Sequence, residues 1–219
     1  MNQDLNLFIT IKKFMLDGGT FMWVILITWL FGLSLSFFKM VRLKIYSVNP
    51  VKLFNSIKSH ILENNVDEAI RICSNTSAIL PVILRSALKR ANEDRILIED
   101  AVSSTVLEQA PKVNDKLSYI SLTANISTLL GLLGTIQGLI MSFAGVANAD
   151  PGMKSKILAM GIAKAMNTTA FGLISAITLM VISTILANKA MKLNNSIDEY
   201  TSKLVDLLSI KQKKANKND

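Results

Sequence analysis

Two stretches of the sequence hold polar side chains where an apolar setting should exclude them. Thr128, Thr135 and Ser142 recur every seven residues inside a run without a charged residue, and Gln137 lies beside them. Asn167, Thr168 and Thr169 stand together near the start of a second such run. Hydroxyls and amides can line a narrow path for an ion or a proton, or accept a polar partner helix. They can also satisfy backbone carbonyls of their own helix, as Ser and Thr do in membrane helices. Both readings are open at this stage. Small residues accompany them. Gly131, Gly134, Gly138 and Gly145 fall three, four and seven apart, so they share one side of a helix, and the heptad-spaced hydroxyls form a second stripe. Gly161 and Gly172 extend the pattern into the later run. Glycine on a membrane helix lets another backbone approach closely.

The elements that carry these residues follow from charge segregation. The chain has 219 residues, is 50% hydrophobic and 18% charged, and carries a net charge of +8. No charged residue occurs from Gly18 to Phe38, from Leu117 to Ala149 or from Ala165 to Asn188. About 20 apolar residues cross a bilayer, so each run is a span. The first is too long, and too bulky at its "SFFKMVRLK" end, for a cleaved signal peptide. No Asp, Glu or His lies inside any span. Proton relays in membranes use such groups, so a second chain would have to supply the acid.

Lys39, Arg42 and Lys44 follow the first span, and Lys189, Lys192, Lys203 and Lys211 follow the third. Positive flanks mark the cytoplasmic side. The expected organisation is an external amphipathic helix and turn over 1–20, with Leu5, Phe8, Ile9, Lys12 and Met15 at helical spacing, then a span over 21–39. A cytoplasmic helical region covers 40–116, a second span 117–147, an external turn 148–156, a third span 157–188 and a cytoplasmic tail 189–219. Within the cytoplasmic region Asn49–Pro50 opens a helix. Three more follow, the last stopping around Pro111, and the tail loses its pattern at "KQKKANKND". The fold class is an all-α integral membrane protein whose long second and third spans extend into the cytoplasm. Single residues Cys73 and His60 offer no disulfide, zinc constellation or catalytic set. No enzyme activity, cofactor or metal is expected. The basic balance reflects membrane topology rather than nucleic-acid binding, since no basic stretch is interleaved with aromatics.

"LLGLLGTIQGLIMSF" and "GIAKAMNTTAFGLISAI" resemble the two signature spans of the ExbB/TolQ/MotA proton-channel family. "DGGTFMWVILITWLFGLSL", "LPVILRSAL" and "LEQAPKVNDKLSYISLTANISTLLGLLGT" resemble its ExbB/TolQ branch, as do three spans instead of four. The resemblance implies a homopentamer around single-span helices of an ExbD- or TolR-like partner that carries a membrane aspartate. It implies proton flow in the bacterial inner membrane that drives a periplasmic TonB- or TolA-like effector. It places the family's pore threonines on Thr135 and Thr169.

Two positions depart from the pattern. Lys164 stands where many ExbB-like chains have glutamate, and Thr178 where many have proline. Lys164 lies close enough to the external turn for its stem to reach back toward water, or it takes part in coupling. Other functional readings are a stator for a gliding or other motility motor, and a non-conducting membrane scaffold.

Overall fold

The computed structural model describes residues 14–15 and 18–215. The external helix expected before Phe14 lies outside the described residues. Seven helices follow from Thr20: α1 Thr20–Tyr46, α2 Pro50–Leu62, α3 Val66–Ser74, α4 Ile79–Lys89, α5 Arg95–Asn114, α6 Leu117–Ala147 and α7 Lys154–Ala215. No strand occurs among the described residues. Three helical stretches are long and apolar enough to cross a membrane, with mean hydropathies of 2.1, 1.8 and 2.2. They cover nearly all of the three charge-free runs, so the chain is an all-α membrane protein.

The chain divides into two compact units. One holds Lys116–Ile185 and the chain up to Phe37, which is α6, the first part of α7 and most of α1. Its core is a layer of small and medium side chains. Thr123, Ala124 and Ser127 of α6 are buried, as are Ala165, Thr168, Ser175, Ala176 and Leu179 of α7. Met22 and Ile25 of α1 are fully buried. Leucine, isoleucine and phenylalanine side chains such as Leu129, Phe143, Ile174 and Ile177 are exposed. A soluble protein would hide these. A membrane helix turns them to lipid and buries its small residues.

The other unit holds Phe38–Asp115 and the chain from Leu186. Here the pattern is that of a soluble bundle. Leu53, Ile57 and Ile61 of α2, Ile83, Leu84, Ala87 and Leu88 of α4, and Ile98 and Val102 of α5 are buried together with Ile197, Leu204 and Leu208 of α7. Consecutive helices α2 to α5 pack in chain order. Asn49 accepts from the Lys52 N–H at 3.2 Å, and Asn65 from the Glu68 N–H at 3.2 Å, so two of the starts are side-chain capped.

Two expectations need correction. The helix expected to stop around Pro111 runs on to Asn114. Proline lacks a donor, but here it falls in the last turn, and the Asp115 N–H closes on the Pro111 carbonyl at 2.8 Å. The stop comes from Lys116, whose φ of 65° is left-handed. The tail pattern does not dissolve at Lys211, because α7 continues to Ala215. Tertiary hydrogen bonds hold that end. Lys211 Nζ donates to the Ile61 carbonyl at 2.9 Å, and Gln212 Nε2 to the Ala91 carbonyl at 2.8 Å.

Candidate functional site

Helices α6 and α7 run antiparallel, and their glycines set how closely they meet. A methyl group added at Gly172 would lie 2.8 Å from the Gly131 Cα and 2.8 Å from the Ser127 carbonyl oxygen. One added at Gly138 would meet the Ala165 Cβ at 2.9 Å, and one at Gly134 would meet the Thr168 side chain. Gly161 faces Ser142 in the same way. The register is constant from one end of the pair to the other. Ser121 and Ser183 Oγ atoms, 2.8 Å apart, continue it beyond the glycines.

The threonines stand along this seam. Thr169 Oγ1 donates to the Gly131 carbonyl at 2.9 Å, which bridges the two helices. Thr168 is buried and contacts the Gly18 carbonyl at 2.9 Å and its own Lys164 carbonyl at 3.0 Å. Thr135 is half-buried and donates to the Leu132 carbonyl one turn back at 2.6 Å. Thr128 does likewise to Ala124 at 3.4 Å. Ser142 is buried within reach of the Ile157 and Leu158 carbonyls, at 3.4 and 3.3 Å.

The heptad hydroxyls therefore do not stay on a stripe of their own. A straight helix drifts about 20° per heptad against a seven-residue repeat. The drift leaves Thr128 and Thr135 at the edge of the glycine face and carries Ser142 into it. Ser175, at helical spacing from Thr168 and Gly172, is buried at the seam, and so is Ser127, which the heptad spacing does not reach. Ser127 lies four residues before Gly131, so helical spacing held the signal. Thr178, where many ExbB-like chains have proline, has a structural role of its own. Its hydroxyl accepts from Trp29 Nε1 at 2.9 Å and donates to the Ser175 carbonyl at 2.8 Å, which ties α1 to α7. The Trp29 and Phe171 rings meet edge to face at 6.3 Å between centroids.

Gln137 and Lys164 come together at one end of the seam. With Thr168, Gly18 and Phe21 they line a cavity of about 220 Å³. Lys164 is half-buried. Its Nζ would lie 2.8 Å from a Cβ placed on Gly19, whose φ of +79° already requires glycine. Asn167 is half-buried, and neither its side chain nor that of Gln137 is hydrogen-bonded among the described residues. Among the described residues the site thus offers hydroxyls, two amides and one ammonium, with no carboxylate or imidazole. It can hydrogen-bond a passing water or an incoming acid, and it has no general base.

The fold is that of an all-α membrane protein, two of whose membrane-crossing helices form a tight antiparallel hairpin with polar groups along the joint. The profile of the MotA/TolQ/ExbB proton channel family matches residues 75–199. The chain belongs to that family. It is 41% identical over 100 residues to the biopolymer transport protein exbB1 of Vibrio cholerae, covering 44% of each chain. It is 26% identical over 178 residues to an ExbB homolog of Methanothermobacter thermautotrophicus, covering 80% of this chain and 62% of the other. It is 32% identical over 91 residues to the biopolymer transport protein ExbB of Salmonella typhimurium, covering 42% of this chain and 37% of that one. The chain thus spans less than two thirds of the length of these relatives.

Proposed function

We propose that this chain is the ion-conducting stator subunit of an inner-membrane complex that couples the proton motive force to a periplasmic effector. The observation that carries the reading is the α6–α7 seam, which is rich in hydroxyls yet has no titratable acid among the described residues. Such a seam is half of a proton path. An ExbD- or TolR-like single-span partner, with an aspartate in its span, would supply the other half. Thr135 and Thr169 would line the path, Thr128, Ser142, Asn167 and Thr168 would flank it, and Gly131, Gly134, Gly138, Gly161 and Gly172 would keep the helices close. The proposed assembly is a homopentamer with the seam toward a central lumen, acting on a TonB- or TolA-like protein. Lys164 reaches toward the external surface.

A scaffold reading has one observation in its favour: Thr168 and Thr169 already bond backbone carbonyls. A single experiment separates the two. The chain is co-reconstituted with its partner in liposomes under a proton gradient, and Thr135→Val, Thr169→Val and Lys164→Gln are compared at matched assembly. Removing a hydrogen bond to a charged group costs about 1.5–3 kcal/mol, so each valine variant should lose proton flux about ten-fold or more. Lys164→Gln should keep most of it. Wild-type flux in both valine variants, or no flux in the parent complex, would remove the conducting reading.

A further inference from the structure

A second polar site lies apart from the seam, in the unit that contains α2 to α5. A cavity of about 410 Å³ opens where the end of α1 meets the stretch of α7 beyond Asn188. Lys44, Lys189 and Lys192 line it, and no acidic residue does. None of these three ammonium groups has an ion-pair or hydrogen-bond partner among the described residues. The rest of the lining is largely apolar and includes Met40, Leu43 and Leu193. Pro50, first residue of α2, also reaches it. That places a helix N-terminus, with its partial positive charge, at the rim.

The depth of this cavity is fixed by chain geometry. Lys44 comes six residues after Phe38, where the first charge-free run ends, which is about 9 Å along a helix. Lys189 follows the last charge-free run directly, and Lys192 lies about 6 Å beyond its end. These are headgroup depths for a helix whose apolar run fills the hydrocarbon. Three uncompensated cations at that level, beside Met40 and Leu43 on the hydrocarbon side of Lys44, match a molecule with a phosphate at one end and acyl chains at the other. Basic pockets between membrane helices at this level take anionic lipid headgroups.

We propose that Lys44, Lys189 and Lys192 form a binding site for an anionic phospholipid, with its phosphate between the ammonium groups and the upper acyl chain against Met40 and Leu43. A free phosphate shares the headgroup chemistry but has nothing to place on the apolar lining. The site does not depend on whether the seam conducts.

The test uses the full chain, delipidated in neutral detergent, with native mass spectrometry and thermal unfolding as readouts. Phosphatidylglycerol should remain bound and raise the unfolding temperature, while phosphatidylcholine should do neither. The variant carrying Lys44→Gln, Lys189→Gln and Lys192→Gln should lose at least about five-fold in phosphatidylglycerol retention. A charge-matched control, with Lys58, Lys89 and Lys213 changed to Gln, should retain it. Should the triple variant not fold, Lys44→Gln and Lys189→Gln singly should each show a smaller loss. Equal retention by the triple variant and the control, or by the single variants and the parent, overturns the proposal. So does equal binding of phosphatidylcholine. An equal thermal shift from inorganic phosphate alone assigns the lysines to a free anion and overturns the lipid.

Discussion

At the residue scale, the crossing of Gly131 and Gly172 brings two helix backbones together with no side chain between them. The atoms that a new methyl group at 172 would strike are backbone: the Gly131 Cα and the Ser127 carbonyl oxygen, both at 2.8 Å. Backbone cannot rotate aside as a side chain does, so the helices must part. Overpacking of this kind costs about 1–3 kcal/mol. Gly172→Ala should therefore lower the unfolding temperature in detergent by several degrees, and Gly172→Leu by more. Gly152→Ala is the control, since nothing lies within 4 Å of a Cβ there. A Gly172→Ala protein as stable as the control would mean that the two backbones are not in contact. The glycine face itself was legible in sequence, because 3.6-residue periodicity needs only positions. The partner of each hydroxyl was not. Thr168 and Thr169 are neighbours in sequence, yet one bonds Gly18 and the other Gly131. Only the placement of α1 and α6 around α7 decides that.

At the element scale, α7 is the unusual member. It has 62 residues, which at 1.5 Å each is about 93 Å. That is roughly three times a bilayer's hydrocarbon thickness. Its composition changes along the way, from a small-residue face to an ordinary apolar stripe through Ile197, Leu204 and Leu208, all nearly fully buried. That stripe was readable in the sequence as far as Leu208. The last turns were not, because their hold comes from Lys211 and Gln212 reaching carbonyls on distant segments. Composition alone gave those turns the look of a solvated basic tail. Burial at 208 predicts the larger effect. Leu208→Ala deletes a side chain that is 1% exposed, a change that typically costs about 2–5 kcal/mol. Gln212→Ala removes a partly buried side chain's hydrogen bonds, each worth a net ~0.5–1.5 kcal/mol. Thermal unfolding of the two variants should therefore rank Leu208→Ala well below Gln212→Ala. The reverse order would show that polar anchoring, not the apolar stripe, holds the end of α7.

At the scale of the whole molecule, the distribution of charge argues for one orientation in the bilayer. Lys39, Arg42 and Lys44 follow the first charge-free run, and Lys189 and Lys192 follow the last. The turn between α6 and α7 holds Asp150, and Lys154 and Lys156 follow in the first turn of α7, a smaller and mixed set. Counted near the span ends, as the positive-inside rule requires, this predicts that α2 to α5 lie in the cytoplasm and that the turn at Asp150 is external. The chain is suited to a thiol test. Cys73 is its only cysteine, and it is 1% exposed. Burial pushes its thiol up to about 11, so at pH 8 only about one molecule in a thousand carries the reactive thiolate. Native Cys73 should therefore stay nearly silent toward a maleimide at neutral pH and react faster as the pH approaches 11. Cysteine placed at exposed Asp150 should label in intact cells with a membrane-impermeant maleimide. Cysteine placed at exposed Lys58 should label only after permeabilisation. A Cys73→Ala background removes the remaining signal. Labelling of Lys58→Cys and not Asp150→Cys in intact cells would invert the orientation. The lysine cavity at the end of α1 would then face the outer leaflet.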